Sequence, residues 1–193
     1  FDLINTNFGS ENDFLFNINN KFKVKNLIIN SNILIDSSQF KKNDLISDKF
    51  IKIHELIDLK NHKIKASFAN KKLSIEGKGQ IKLQNKFEII NYKIINNGSD
   101  LNLVSNIELS ELDIKNQNLI KEYLPKTKNI LNLKDHKIKL QYKDSNLSVE
   151  GLGKISLDKE FNKINYTFSK KDKKYNFETD LEINDTPIKI GFI

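Results

Sequence analysis

The chain repeats itself, and that constrains its fold more than any other feature. Residues 59–92, LKNHKIKASFANKKLSIEGKGQIKLQNKFEIINY, lie over residues 133–166, LKDHKIKLQYKDSNLSVEGLGKISLDKEFNKINY, at a constant offset of 74 without a gap. His62/His136, Glu76/Glu150, Gly77/Gly151, Gly79/Gly153, Phe87/Phe161 and Tyr92/Tyr166 are identical in the two copies. The offset carries on to Ile114/Ile188. It also runs backwards, since Ser31-Asn32-Ile33 matches Ser105-Asn106-Ile107 and Leu45-Ile46 matches Leu119-Ile120. Residues 15–40 therefore read as the tail of an earlier copy whose start is missing or has slipped register. The expected division is 1–40 as the end of a truncated repeat, 41–114 and 115–188 as full repeats, and 189–193 as the start of a further segment or the end of the fragment. All belong to one continuous β-repeat domain, because stacked copies bury faces that one copy cannot.

Within each copy apolar and polar residues alternate, the pattern of strands with one wet face. Ile64, Ala66 and Phe68 share a side, as do Leu73, Ile75, Ile81 and Leu83, then Ile90, Tyr92 and Ile94, then Leu101, Leu103, Ser105, Ile107 and Leu109. The second copy repeats the scheme with Ile138, Leu140 and Tyr142, with Leu147, Val149, Ile155 and Leu157, and onward through Ile164, Tyr166 and Phe168 to Tyr175, Phe177, Leu181 and Ile183. Turns at Ala69-Asn70-Lys71 and Asn97-Gly98-Ser99 separate the strands as an antiparallel meander requires. At about 9–11 residues and roughly 3.3 Å per residue, the long strands would span ~30 Å.

One segment per copy breaks the two-residue period. Lys115–Leu124 sets Leu119, Ile120, Tyr123 and Leu124 on one helical face before Pro125 blocks continuation, and Lys41–Phe50 is its counterpart. The expected fold is thus mostly β: a repeat array of antiparallel strands in a twisted, curved sheet, with one short helix per repeat.

A sheet with one apolar face has to cover it. Two short helices cannot cover ten or so strands, each offering three to five large apolar residues. Either the sheet closes into a sandwich or barrel, or it curls into a trough whose apolar side takes acyl chains or a partner protein. The residues expected to line one concave side are Ile64, Phe68, Leu73, Ile75, Ile81, Leu83, Ile138, Tyr142, Leu147, Val149, Ile155 and Leu157. Gly77, Gly79, Gly151 and Gly153 fall mid-strand on the same side. They are read as bends that curve the sheet, and as room left for a packed helix or a lipid tail.

Composition removes several alternatives. There is no Cys, hence no disulfide, thiolate zinc site or cysteine nucleophile. The net charge is +7, but every basic residue is Lys, spread evenly, without the Arg that reads guanine edges and phosphates bidentately. Nucleic acid is therefore not the expected partner. His62 and His136 recur, but their neighbours are Lys and Asn, which make no metal site. Glu76 and Glu150 stand amid Lys, where cross-strand ion pairing is the expected role. No phosphate loop, nucleophile elbow or zinc-protease motif occurs, so neither an enzyme nor a cofactor is expected. The absence of Met, with Phe at position 1, reads as an internal piece of a longer protein. No apolar run reaches the ~20 residues of a membrane-spanning helix.

The paired L-x-[IV]-E-G-x-G strands, LKDHKIKLQYKDSNLSVEGLGKISL (133–157), with the ELSELDIKNQNLIKEYLP stretch (108–125), resemble the AsmA-like, YhdP-type envelope proteins of bacteria. The resemblance implies a long protein anchored in the inner membrane through parts outside this segment. It also implies a repeating β-groove that crosses the periplasm and shields the acyl chains of phospholipids or other lipids on their way to the outer membrane. Two alternatives stand beside it: a structural or adhesion array with a closed dry core, and a fragment of an outer-membrane β-barrel, whose strands alternate in the same way.

Overall fold

The computed structural model describes residues 3–41, 55–115, 127–157, 160–172 and 174–182. Ten strands follow one another in chain order through a single antiparallel sheet. They are β1 (Leu3–Ile18), β2 (Val24–Lys41), β3 (Leu56–Ala69), β4 (Lys72–Lys82), β5 (Phe87–Asn96), β6 (Leu101–Lys115), β7 (Ile130–Lys143), β8 (Asn146–Ser156), β9 (Phe161–Lys171) and β10 (Lys174–Leu181). Each strand contacts only the one before and the one after it, so the sheet is open and curved, with β1 and β10 as its edges. The described strands close into neither a sandwich nor a barrel. The two expected helices lie, past their first residues, outside the described residues; Lys41 and Lys115 themselves end β2 and β6.

The repeat sets the strand order. β2–β5 and β6–β9 are the same four strands 74 residues apart, and β10 begins the series again. β1 holds the β5 place in a slipped register. Ile90 faces Ile107, and strict repetition would set Phe16 opposite Ile33; Ser10 stands there instead.

Tight turns follow from local chemistry. Asn70 and Lys71 between β3 and β4 both have positive φ (51° and 63°), as do Asp144 and Ser145 between β7 and β8 (50° and 62°). Two successive left-handed residues make the hairpin turn whose twist matches that of the strands, and Asn or Asp in first position tolerates it best. These hairpins lie at one end of the sheet, the turn end. The β2–β3 and β6–β7 connections leave from the other end, the base.

Half of the strands are longer than alternation predicts. β3 and β7 each run 14 residues, β6 runs 15 and β2 runs 18, so β3 spans about 46 Å. The cause is a bulge. Asn61 and Asp135 adopt φ of 54°, and the register against β4 and β8 shifts there, between Lys60 and Lys63 and between Lys134 and Lys137. Leu59 and His62, three apart, consequently share a side, and a strict two-residue count ends the strand where the structure continues it. β6 changes phase at the same level, so that Leu109 and Leu112 are both buried. Glu88, also buried, accepts hydrogen bonds from the Ser110 backbone N–H (2.6 Å) and hydroxyl (2.8 Å), and from the Glu111 N–H at 3.4 Å. It thereby satisfies donors that the phase change takes out of the ladder.

Candidate functional site

Register places ten of the twelve residues expected to line a groove on one side of the sheet, and Leu83 and Leu157, just past the ends of β4 and β8, join that side through the cluster around Ile155. Ile64 faces Gly77, Phe68 faces Leu73, Ile138 faces Gly151, Tyr142 faces Leu147, and Ile75, Ile81, Val149 and Ile155 follow by alternation. Ile94 and Leu103 join the two halves, since Ile75 pairs Ile94, Ile94 pairs Leu103, and Leu103 pairs Tyr142. The apolar side is therefore continuous across both repeats.

The burial of that side is uneven. At the base, Leu109, Leu112, Leu131, Leu133, Ile155 and Leu157 form one buried cluster, with Leu131 at 0% and Leu157 at 2% exposure. Ile57 is equally closed off. Toward the turn end, Ile64, Phe68, Leu73, Ile75, Ile138, Tyr142, Leu147 and Val149 are only half-buried, as are Ile94 and Leu103. Ile81 and Leu83, nearer the base, are half-buried too. Of the expected lining, Ile155 and Leu157 thus belong to a packed core. The other ten present part of their surface on a side that no other described strand faces.

The glycines have a different use from the one the sequence suggests. A Cβ on Gly77 would come within 2.4 Å of the Tyr92 ring, and one on Gly151 within 2.1 Å of the Tyr166 ring. A Cβ on Gly79 or Gly153 would meet the His62 or His136 ring at 2.3 Å. Each Gly-x-Gly is a bed for one ring from the strand before and one from the strand after. No room remains there for a helix or a lipid tail. The rings stack at a tilt, with centroids 6.1 Å apart for His62–Tyr92 and 6.0 Å for His136–Tyr166.

Hydrogen bonds fix the imidazoles. His62 Nε2 lies 2.9 Å from the carbonyl of Gln80, and His136 Nε2 lies 2.9 Å from that of Lys154, so Nε2 carries the proton in both. The free lone pair of His62 Nδ1 accepts the Tyr92 hydroxyl at 3.5 Å. His136 Nδ1 is buried without a partner. Burial pushes the His136 pKa below its ordinary value, against smaller upward pulls from the Lys154 carbonyl and from Asp135. Burial also raises the Tyr92 and Tyr166 hydroxyls. These rings are packing elements. Among the described residues no group of His, Asp and Glu could hold a metal ion. Glu76 pairs with Lys93 across β4 and β5 at 3.8 Å, the cross-strand role expected of it.

In the sequence His62, His136, Tyr92 and Tyr166 stand as repeated residues with nothing local to join them. The signal was available: a side-chain-free pair mid-strand, repeated together with a ring in each flanking strand, marks a place where rings lie on glycine. Leu131 and Ile57 were missed because they lie across the bulge, out of phase with the alternation above it.

No family model, curated protein or solved structure matches this chain.

Proposed function

We propose that the chain is a non-enzymatic segment that shelters acyl chains against the apolar side of its sheet, as the AsmA-like resemblance implies. One observation carries the reading. From Phe68 and Leu73 across Ile94 and Leu103 to Tyr142 and Val149, large apolar side chains stay only half-buried on a side that no other described strand faces. Such a surface is wider than scattered apolar residues and invites an apolar partner. An acyl chain laid on it gains about 0.8 kcal/mol per buried methylene, and without directional contacts it can slide along the row. The reading places the segment in the periplasm of a bacterial envelope, within a parent anchored in the inner membrane, and has phospholipid as cargo.

The test is uptake of a fluorescent phospholipid by delipidated protein, compared with the Ile75→Asp and Val149→Asp variants. Charge on an open side leaves the fold standing and abolishes uptake. Folded variants with undiminished uptake would sink the proposal.

A second reading, a structural or adhesion array, has its own support in the edges. β1 exposes Phe8 and Phe14 (61% and 62%), and β10 exposes Tyr175 and Phe177 (67% and 62%). Open apolar edges extend sheets. Under that reading the protein assembles edge to edge and takes up no lipid.

A further inference from the structure

The side opposite the apolar one carries two troughs that are copies of each other. One, of about 800 Å³, runs over β2–β6, and the other, of about 1090 Å³, runs over β6–β10. Every residue lining the first has its counterpart 74 positions later in the second. From β6 the first trough takes Val104 and Asn106 but not Ser105, which is turned to the apolar side, so the trough lies on the lysine-bearing face.

Position is shared, and charge is not. Lys63, Lys65, Lys78 and Lys93 line the first trough against the single carboxylate of Glu76. Lys137 and Lys139 line the second against Glu108, Glu150, Glu178 and Asp180. The register sharpens the contrast. Lys63 stands directly opposite Lys78, whereas its counterpart Lys137 lies between Leu152 and Glu108. Among the described residues Lys63, Lys65 and Lys78 make no ion pair, and Lys93 has only Glu76 at 3.8 Å. Like charges directly opposite on a sheet are unfavourable, and packing does not demand them, because the second copy has Leu152 where the first has Lys78.

We infer that the first trough is a binding site for a phosphate-bearing anion, gripped between Lys63 and Lys78 with Lys65 and Lys93 at its flanks, and that the second trough is not. The ammonium groups are compact point charges suited to a small phosphate oxyanion, and the absence of Arg excludes bidentate guanidinium recognition. The inference concerns the opposite side of the sheet from the acyl proposal, and either can fail without the other.

The sister trough supplies the variants. The whole chain is titrated at low salt with glycerol phosphate by calorimetry, and is co-sedimented with phosphatidylglycerol vesicles against phosphatidylcholine vesicles. The Lys78→Leu/Lys93→Thr double variant, built from residues the second copy already carries, is expected to bind at least about tenfold more weakly, and added salt should erase the difference. The reciprocal Glu108→Leu/Leu152→Lys/Thr167→Lys variant should gain a second site. Binding of glycerol phosphate alone assigns the site to soluble phosphate esters; binding of the anionic vesicles as well assigns it to lipid headgroups. Unchanged binding by the double variant, or no binding by the native chain in either arm, would overturn the inference. Should the double variant lose its circular-dichroism signature, Lys63→Gln/Lys78→Gln takes its place.

Discussion

The base and the turn end of the apolar side are made of the same residues and behave differently. Leu131 at the base is fully buried, while Leu103 and Leu147 toward the turns are half-buried on the same side of the same sheet. Even strict sequence copies diverge: Leu83 and Leu157 are equivalent, yet Leu157 is 2% exposed and Leu83 is half-buried against the same cluster. Alternation therefore tells which way a side chain points. Whether anything lies over it is decided by neighbours far away in sequence.

The largest effect that would test this contrast comes from truncating one leucine in each region. Leu131→Ala removes fully packed methyl groups and should cost about 2–5 kcal/mol in urea unfolding. Leu103→Ala surrenders only partial burial and should cost at most about 1 kcal/mol. Equal losses would mean that the turn end is as closed as the base.

The boundary between the regions can be probed next. Gly79→Ala drives a methyl into the His62 ring and should destabilise by about 1–3 kcal/mol. Adding His62→Ala should recover much of that loss, a coupling that a double-mutant cycle reads directly. Additive losses would show that the glycine is needed for the backbone and not for the ring.

A smaller effect at the second copy of that boundary depends on pH. His136 is held below its ordinary pKa of 6.5 by burial, so the unfolded chain takes up its proton first. Its contribution is fully present above 6.5 and falls away as the pH drops below that value toward the lowered folded pKa. His136→Gln should therefore flatten the decline of the urea midpoint on the acid side of 6.5. A variant whose midpoint declines as steeply as the native chain's would remove His136 from that role.

Much of this molecule is legible in its sequence, for identifiable reasons. The repeat and the alternation are local, and they place Phe68, Leu73, Tyr142 and Val149 on one side, with turns at Asn70 and Asp144. The bulge is not legible that way, because Asn61 and Asp135 shift the phase and hide the continuity from Ile57 to His62. The purpose of Gly77 and Gly79 needs three adjacent strands at once: the rings that fill their space come from β3 and β5. The sequence leaves β1 open between a missing start and a slipped register, since Ser10 does not copy its counterpart Ile90, and only strand pairing decides for the slip.

The chain contains no cysteine, so a single introduced thiol reports on one place at a time. Native-state labelling rates of Ile75→Cys and Leu131→Cys, with and without phospholipid, test the central claim most directly. Ile75→Cys should label fast and be protected by lipid, and Leu131→Cys should label only at the rate of unfolding, lipid or none. An Ile75→Cys thiol as slow as that at 131, or one whose rate phospholipid leaves unchanged, would contradict an open apolar side that takes acyl chains.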